Sequence, residues 1–301
     1  MNPIKVFHTP EYLFRPSQIL TRLKRSVFKP QTEIEKVTLP WGASIHIRPL
    51  EVIGSSIWYY GVFDLIVTEA IARLLEPGDT CLDIGANIGQ MTSLMGFLTG
   101  PTGKVHAFEP HPEVFRDLTG NVESWSNQKR YGQMICHETA LSDRSGEDSL
   151  VIRAGWNDNR GIGSIRREDP PSQGQRIRIK VSVLDQLLAD AGPIGLCKID
   201  VEGHEEQVFK GAERTLGQGR IRDIIFEDLI PHPSPLERLL VHHGYTIFSL
   251  RSKPMRPVLS PSGGATNGMR VADGLNYLAT RQPDRAMGRF QHWGWRVLRL
   301  S

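Results

Sequence analysis

Apolar residues occur along this chain in two patterns, short continuous runs and longer stretches in which they recur every three or four positions. Continuous runs are typical of strands buried on both faces of a sheet, and the second pattern is typical of helices packed on that sheet. Thr80–Ile84 forms such a run, and a glycine turn follows it. Helical spacing then begins at Met91 and stops at Gly100-Pro101. The stretch therefore predicts strand, turn and helix, the opening of a nucleotide-binding βαβ unit.

Further apolar runs alternate with helical patterns, which predicts an α/β fold with a parallel sheet. The later strands are expected at 104–108, 133–139, 196–199, 221–226, 245–250 and 275–280. Ahead of them, alternating residues within 34–53 predict a β-hairpin. Residues 150–165 and 251–274 are rich in Gly, Asn, Pro or Ser and are predicted as loops. We expect the first loop to face the acceptor through Asn157 and Asn159.

The turn after the first strand, D-I-G-A-N-I-G, indicates which nucleotide binds there. A dinucleotide site needs glycine at two positions that hold Asn87 and Gln90 in this chain. The carboxylate of Asp83 disfavours a phosphate and suits an ammonium group, whereas the helix N-terminus suits a carboxylate. S-adenosylmethionine (SAM) carries both of these groups and no phosphate. The turn therefore favours SAM over NAD.

Two later positions agree with a nucleotide site. Glu109-Pro110 ends the second strand about 20 positions after Gly89, the spacing at which nucleotide-binding folds place an acid on the ribose hydroxyls. The alternative is that Glu109 is a solvated residue at a strand end. The end of the third strand should lie beside the adenine, which makes Ala140, Leu141 and Ser142 predicted adenine contacts.

Polar residues also follow the fourth and fifth strands, where open α/β sheets bind their ligands. Asp200, Glu202 and His204 follow the fourth strand, and Glu227, a predicted acceptor contact, follows the fifth. A hydroxyl acceptor must lose a proton during methyl transfer. We expect His204 to be the general base because its unperturbed pKa lies near neutrality. Two alternatives are that Asp200 is the base and that His204 only bonds to a neighbouring acid.

Composition limits the class of protein. The 301 residues are 39% hydrophobic and 23% charged, as in ordinary globular proteins, and the net charge of +3 argues against nucleic acid as a partner. Three cysteines lie in apolar runs without a Cys-x-x-Cys or metal-ligand spacing, so we expect reduced core residues and assign no metal ligands. Whether a divalent ion assists at Asp200 and Glu227 is left open. No apolar run approaches ~18 residues, and no signal pattern begins the chain, which predicts a cytoplasmic protein.

Both ends of the chain are basic and amphipathic. In residues 1–33 the apolar positions 19, 20, 23 and 27 have helical spacing, with Arg22, Lys24 and Arg25 between them. These features fit a helix docked on the domain with a solvated basic face, or a weak contact with a membrane surface. We divide the chain into an N-terminal segment (1–33), a central domain (34–280) and a C-terminal tail (281–301). The oligomeric state is left open.

The motifs D-I-G-A-N-I-G, F-E-P, A-L-S-D-R-S-G and K-I-D-V-E-G-H-E occur in this order. With them the chain resembles the FkbM family of SAM-dependent methyltransferases over about residues 34–280. The resemblance implies a class I methyltransferase (Rossmann-like) sheet of seven strands, in the order 3-2-1-4-5-7-6 with strand 7 antiparallel. It also implies O-methylation of a hydroxyl on a sugar, glycolipid or other small molecule.

The resemblance assigns roles to individual residues. SAM contacts are implied for Asp83, Gly85, Asn87, Gly89 and Glu109, and a catalytic mouth for Asp200, Glu202 and His204. Two other functions stay open from the sequence: an N-methyltransferase, and a non-catalytic SAM-binding protein at a membrane surface.

Overall fold

The computed structural model describes residues 9–28, 30–153, 163–165, 174–189, 191–228, 230, 233–262 and 276–300. The predicted acceptor contacts Asn157 and Asn159 lie outside these residues. The described strands are β1 Glu35–Thr38, β2 Ser44–Ile47, β3 Thr80–Ile84, β4 Lys104–Phe108, β5 Gln133–His137, β6 Ala140–Leu141, β7 Gly146–Arg153, β8 Gly163–Ile165, β9 Gly174–Ser182, β10 Ile194–Ile199, β11 Ile221–Glu227, β12 Thr246–Lys253, β13 Arg256–Pro261 and β14 Asn276–Thr280.

Helices precede, separate and follow these strands. They are α1 Pro10–Leu13, α2 Ser17–Val27, α3 Val52–Tyr60, α4 Leu65–Leu74, α5 Gln90–Thr99, α6 Pro112–Ser126, α7 Leu184–Leu187, α8 Glu205–Lys210, α9 Glu213–Gly217, α10 Pro235–His242 and α11 Pro283–Gln291, with a short 3₁₀ helix at Arg296–Arg299. The predicted strand, turn and helix are confirmed as β3 and α5. No helix in the described part of the chain is long and apolar enough to cross a bilayer.

The central sheet has the strand order β13-β12-β14-β11-β10-β3-β4-β5. Strands β5, β4, β3, β10 and β11 are parallel, and β14 runs antiparallel to both β11 and β12. The expected count of seven strands was wrong, since β13 adds an eighth. This strand lies in the predicted loop 251–274, whose Pro257 and Pro261 suggested irregular structure. Proline is tolerated there because β13 is an edge strand and one side of its backbone has no ladder to complete.

A smaller sheet, ordered β6-β9-β7-β8, contains part of the other predicted loop. Residues 150–153 belong to β7 and residues 163–165 form β8, so the prediction of a continuous loop over 150–165 was wrong. The apolar run Leu150, Val151 and Ile152 is too short to predict a strand by itself. The residues that follow it are rich in glycine and asparagine, and this composition predicted a loop.

The parallel strands are buried on both faces because helices cover both sides of the sheet. Alternation along β3 sends Cys81 into one apolar cluster, formed mainly with α4, α5 and α6, and Leu82 into the other, formed with α8, α9 and α10. All six residues of β10 are buried. Cys81, Cys136 and Cys197 are free thiols, as expected from the sequence.

The segments that precede and follow the central sheet in the chain pack against it. The hairpin β1–β2 was predicted, and α6 holds it: Asn121 Oδ1 accepts the His46 N–H at 2.8 Å, and Trp125 Nε1 donates to the Ser44 carbonyl at 2.6 Å. At the C-terminus, Trp295 and Val297 are fully buried, so residues beyond 280 contribute to the core rather than extending from it.

Candidate active site

Two cavities adjoin at the carboxyl ends of β3, β4 and β10, and they share Gly85, Glu109, Asp200 and Glu202 as walls. The first cavity, of about 890 Å³ including its open mouth, extends toward α3, α4 and β14. Its other lining residues include Ile53, Phe63, Asp64, Asn87, Gln90, Lys198 and Asn276. The second cavity, of about 560 Å³, is lined by residues including Phe108, Pro110, His111, Ala140, Leu141 and His204.

The predicted glycines make the junction of the cavities possible. Gly85 has φ +76°, and a Cβ there would overlap the carbonyl oxygen of Asp200, so the turn after β3 touches the end of β10. Gly89 caps α5 at φ +91°, where a Cβ would press into Leu118 Cδ1 at 2.8 Å. Both positions need glycine for conformation and for space.

Backbone strain collects around the first cavity. Among the described residues, those other than glycine with positive φ are Asp64 (+43°), Asn87 (+48°) and Glu202 (+54°), and all three line this cavity. Such conformations cost free energy and are often found at functional sites. The cluster supports the choice of this cavity independently of any motif.

Glu109 stands between the two cavities, as the ribose prediction requires. Its carboxylate accepts the Asn87 N–H at 3.1 Å and the His111 N–H at 2.9 Å, so the turn after β3 and the start of α6 hold it in place. The residue is 7% exposed, and burial raises the pKa of its carboxyl to about 7. A fixed acceptor of this kind suits a pair of hydroxyl donors.

Asp83 is placed differently from the prediction. It is completely buried and lies outside the described lining of both cavities. Its carboxylate accepts a hydrogen bond from Thr92 Oγ1 at 2.6 Å, and its other oxygen lies 3.7 Å from Lys198 Nζ. Asp83 and Lys198 are cross-strand partners of β3 and β10. The Asp83 carboxylate therefore interacts with Lys198, which lines the first cavity, and does not line that cavity itself.

Lys198, to which the sequence analysis gave no role, links several groups of the site. Its ammonium donates to the Gly85 carbonyl at 2.9 Å and lies 3.9 Å from Asp200 Oδ2. Burial alone would lower the pKa of Lys198, but the carboxylates of Asp200, Asp83, Asp64 and Glu109 outweigh it and raise that pKa. The lysine stays charged and holds the acids at the mouth in place.

Asp64 was also missed. It is the N-cap of α4, accepting the Val67 N–H at 3.2 Å, while Asn276 of β14 lies 3.4 Å from its other oxygen. Burial, together with the nearby charge of Asp200, raises the pKa of Asp64 to about 6 against the effects of Val67 and Lys198. An aspartate before a helical pattern signals a cap. Nothing in that signal shows that the side chain faces a cavity formed by distant strands.

The other predicted acids lie at the same mouth. Asp200, with 40% of its side chain exposed, faces both cavities. Glu227 lines a third, adjoining depression together with Glu202 and Glu205. Burial and the charges of Asp200, Glu202 and Asp64 raise the pKa of Glu227 to about 7. The mouth is therefore rich in carboxylates that bind protons near neutral pH.

His204, the predicted base, is on the other side. It lines the second cavity, and its Nε2 is 3.0 Å from Ser142 Oγ. Pro110, Ala140 and Leu141 line that cavity too. His204 thus shares a cavity with the predicted adenine contacts, whereas Asp200 faces both sides. Within the described residues, no group of three or more His, Cys, Asp or Glu side chains could hold a metal ion.

The walls of the two cavities fit the parts of SAM. The second cavity has apolar walls from Phe108 and Leu141, which suit the faces of a planar base. Glu109 is at its junction with the first cavity, where a ribose would be. The first cavity offers the N-terminal turn of α5 for a carboxylate and the acids Asp64 and Asp200 for a cationic centre.

Comparisons with known proteins identify the family of this chain. A family model described as the methyltransferase FkbM domain matches residues 83–247. The chain is 31% identical over 243 residues to the 31-O-demethyl-FK506 methyltransferase FkbM of Streptomyces tacrolimicus, covering 71% of this chain and 90% of that protein. It is 29% identical over 160 residues to the hexuronic acid methyltransferase AglP of Haloferax volcanii, covering 51% of this chain and 59% of that protein.

A solved structure of a methyltransferase FkbM from Methylobacillus flagellatus aligns with a TM-score of 0.43 at 14% identity, over 76% of this chain and 55% of that one. The family model alone covers more than half of the chain. The cofactor of this enzyme is SAM. The chain belongs to the FkbM family of SAM-dependent methyltransferases.

Proposed function

We propose that this enzyme transfers the methyl group of SAM to a hydroxyl of a sugar, glycolipid or other small molecule. Two curated relatives support the class of acceptor, since one is named for O-methylation of demethyl-FK506 and the other for methylation of a hexuronic acid. The first name specifies methylation on oxygen, and a hexuronic acid is a sugar acid that carries hydroxyl groups beside its carboxyl group. Bound SAM supplies an electrophilic methyl group, and the protein supplies position and a proton acceptor.

The observation that carries the proposal is the group of carboxylates at the first cavity. Asp64 and Asp200 both line it, and Lys198 is close to Asp200. Glu109 and the second cavity hold the nucleoside, so the methyl group faces these two acids. An alcohol that approaches through the open mouth then meets a carboxylate that can accept its proton as the new C–O bond forms.

A carboxylate is a better base here than His204. The imidazole lies in the second cavity with Ser142, on the adenine side, whereas Asp64 and Asp200 face the acceptor. The pKa of Asp64 near 6 means that its carboxylate is charged at neutral pH and still binds a proton readily. We therefore assign proton acceptance to the carboxylates Asp64 and Asp200 of the first cavity, and nucleoside support to His204.

Methyl-labelled SAM tests this function. Incubation with a panel of sugars, glycolipids and polyhydroxylated natural products should yield a product whose carbon-13 shift shows a methyl on oxygen. Label on nitrogen would contradict the proposal.

With that acceptor, Asp64→Asn and Asp200→Asn should each slow single-turnover transfer by ~10²–10⁴. His204→Ala should slow transfer by less than about tenfold at saturating SAM. The wild-type rate should rise with pH through about 6, because Asp64 is an inactive neutral acid below its pKa. A large loss in His204→Ala together with a wild-type rate in Asp200→Asn would return the base to His204.

A further inference from the structure

Helix α2 packs on the domain through its polar face and exposes its apolar face, the reverse of an ordinary amphipathic surface helix. Leu20, Leu23 and Val27, at helical spacing, are 65%, 52% and 75% exposed, and Phe28 after the helix is 68% exposed. Gln18, by contrast, is buried. An apolar stripe of this kind normally faces a core, so its exposure on a folded helix requires an explanation.

The polar face of α2 makes the contacts with the domain. Arg25 stacks on the ring of Trp58 at 4.0 Å, and Arg22 lies over the ring of Tyr60 at 4.9 Å. Gln18 Nε2 donates to the Tyr59 carbonyl at 3.1 Å. These contacts with the last turn of α3 fix the rotation of α2 about its axis. The leucines are therefore held outward by specific interactions on the opposite face.

Helix α3 connects this surface with the first cavity. Its last turn carries α2, and its first residues, Val52 and Ile53, line the cavity. Six helical residues span roughly 9 Å along α3, so α2 packs on this helix within about two turns of the cavity wall. Leu50 and Val52, at the near end, are also exposed, 81% and 49%. Exposed apolar side chains are thus present on α2, which packs on the end of α3, and at the start of α3 beside the first cavity.

We propose that α2 binds the surface of a membrane containing anionic lipid, and that the acceptor is a molecule anchored in that membrane. The charge of the exposed side of the helix supports a bilayer as the occupant: Lys24 is exposed with Leu20 and Leu23, and Ser17–Val27 carries no acid, whereas Arg22 and Arg25 face α3. An apolar face with basic residues and no acid is the composition of helices that lie in the interface of an anionic membrane. The inference rests on the proposed methyltransferase function, because it concerns where the acceptor resides.

Vesicle co-sedimentation with the full chain tests the surface directly. The wild type should bind vesicles containing phosphatidylglycerol and bind pure phosphatidylcholine much more weakly. Leu20→Ser with Leu23→Ser should lower binding at least about tenfold, since each leucine loses its transfer into the apolar layer. Lys24→Gln should lower it about fivefold at low salt. Val241→Ser is the matched control, because Val241 is an equally exposed apolar residue on α10, 53% exposed, and should bind as the wild type does.

Folding and function are measured separately. All variants should keep the wild-type melting temperature and SAM affinity, so a loss of binding cannot be attributed to unfolding. With labelled SAM and vesicles made from a lipid extract, the wild type should put label into the lipid phase, and the double variant should put in at least tenfold less.

Absence of wild-type binding to anionic vesicles would overturn the inference, as would equal binding by the double variant. A wild-type dimer that the double variant converts to monomer, without any vesicle binding, would assign the stripe to a second copy of the chain. In either case label transfer to a water-soluble hydroxyl acceptor would leave the methyltransferase proposal intact.

Discussion

Glu109 is nearly sealed from solvent, and it borders both cavities. Two backbone N–H groups, of Asn87 and His111, orient its carboxylate before any ligand arrives. Pre-organisation of this kind lowers the entropy lost on binding, because the side chain has no other conformation to give up. The raised pKa also makes the acceptor strength of this group depend on pH near neutrality.

Glu109→Gln should weaken SAM binding by ~1.5–3 kcal/mol, the range for a hydrogen bond to a charged group. Wild-type affinity, measured by calorimetry, should fall as the pH falls through about 7, because the carboxyl is neutral below its pKa. The variant should show a flatter dependence. Glu113→Gln, an exposed acid in the first turn of α6, is the control and should bind as the wild type does. Equal affinity in Glu109→Gln would remove Glu109 from the ribose site.

Asp83 shows how far the contacts of a single residue can be predicted from sequence. Gly85 and Glu109 line both cavities and Gly89 caps α5, positions that sequence could indicate because a tight turn and a strand end are local features. The direction of the Asp83 side chain depends instead on its partner across the sheet, Lys198. Pairing between distant strands is absent from a local pattern, so a buried ion pair appeared as a ligand contact.

At the scale of elements, the sequence predicted strands and helices that have strong periodicity. Strand β3 and helix α5 have the bounds expected, and β1–β2 is the expected hairpin. Strand β13 was missed because prolines at an edge are compatible with pairing, and composition does not tell an edge from a loop. The local sequence pattern therefore predicts that a strand or helix forms. Whether a strand can contain proline depends on its position in the sheet.

The C-terminal segment depends on a buried ion pair on α4. Arg73 Nε donates to Glu69 at 2.7 Å, and these side chains are 3% and 0% exposed. Glu69 also accepts the N–H groups of Arg296 and Val297, and Arg73 donates to the carbonyls of residues 289, 292 and 294. Charged side chains on one helix thus satisfy the backbone of a segment that has little regular structure of its own.

Glu69→Gln should lower the free energy of unfolding by ~3–5 kcal/mol, because it leaves the Arg73 charge buried without its partner. Glu206→Gln is the matched control, since its partner Lys210 is also four residues away but both side chains are substantially exposed. That change should leave the free energy of unfolding close to the wild-type value, because solvent screens an exposed ion pair. Urea denaturation of both variants compares the two, and similar losses would show that the C-terminal segment does not depend on this pair.

For the whole molecule, topology brings together residues that are distant in the chain. The first cavity lies where neighbouring strands β3 and β10 connect in opposite directions along the sheet, a switch point at which such folds bind ligands. Asp64 reaches it from the cap of α4 and Asn276 from the antiparallel strand β14. The motifs predicted the location of the site, but these two residues carry no motif and could be found only from the three-dimensional arrangement.

The fold also places acidic and basic side chains on two different surfaces of the enzyme. Carboxylates line the catalytic mouth, whereas basic residues hold α2 on α3 with its apolar stripe outward. In the proposed orientation the apolar stripe and Lys24 of α2 face anionic lipid, and the acidic mouth faces the acceptor hydroxyl. The two surfaces are joined by α3, which makes the position of the mouth relative to the membrane a property of the fold.

A crystal structure of the complex with S-adenosylhomocysteine would test most directly how the two cavities divide the cofactor. We expect the adenine in the second cavity beside Leu141, the ribose hydroxyls on Glu109, and the sulfur facing Asp64 and Asp200 in the first cavity. A complex with the adenine in the first cavity, or with the sulfur directed toward His204, would contradict the assignment of the acceptor side and of the base.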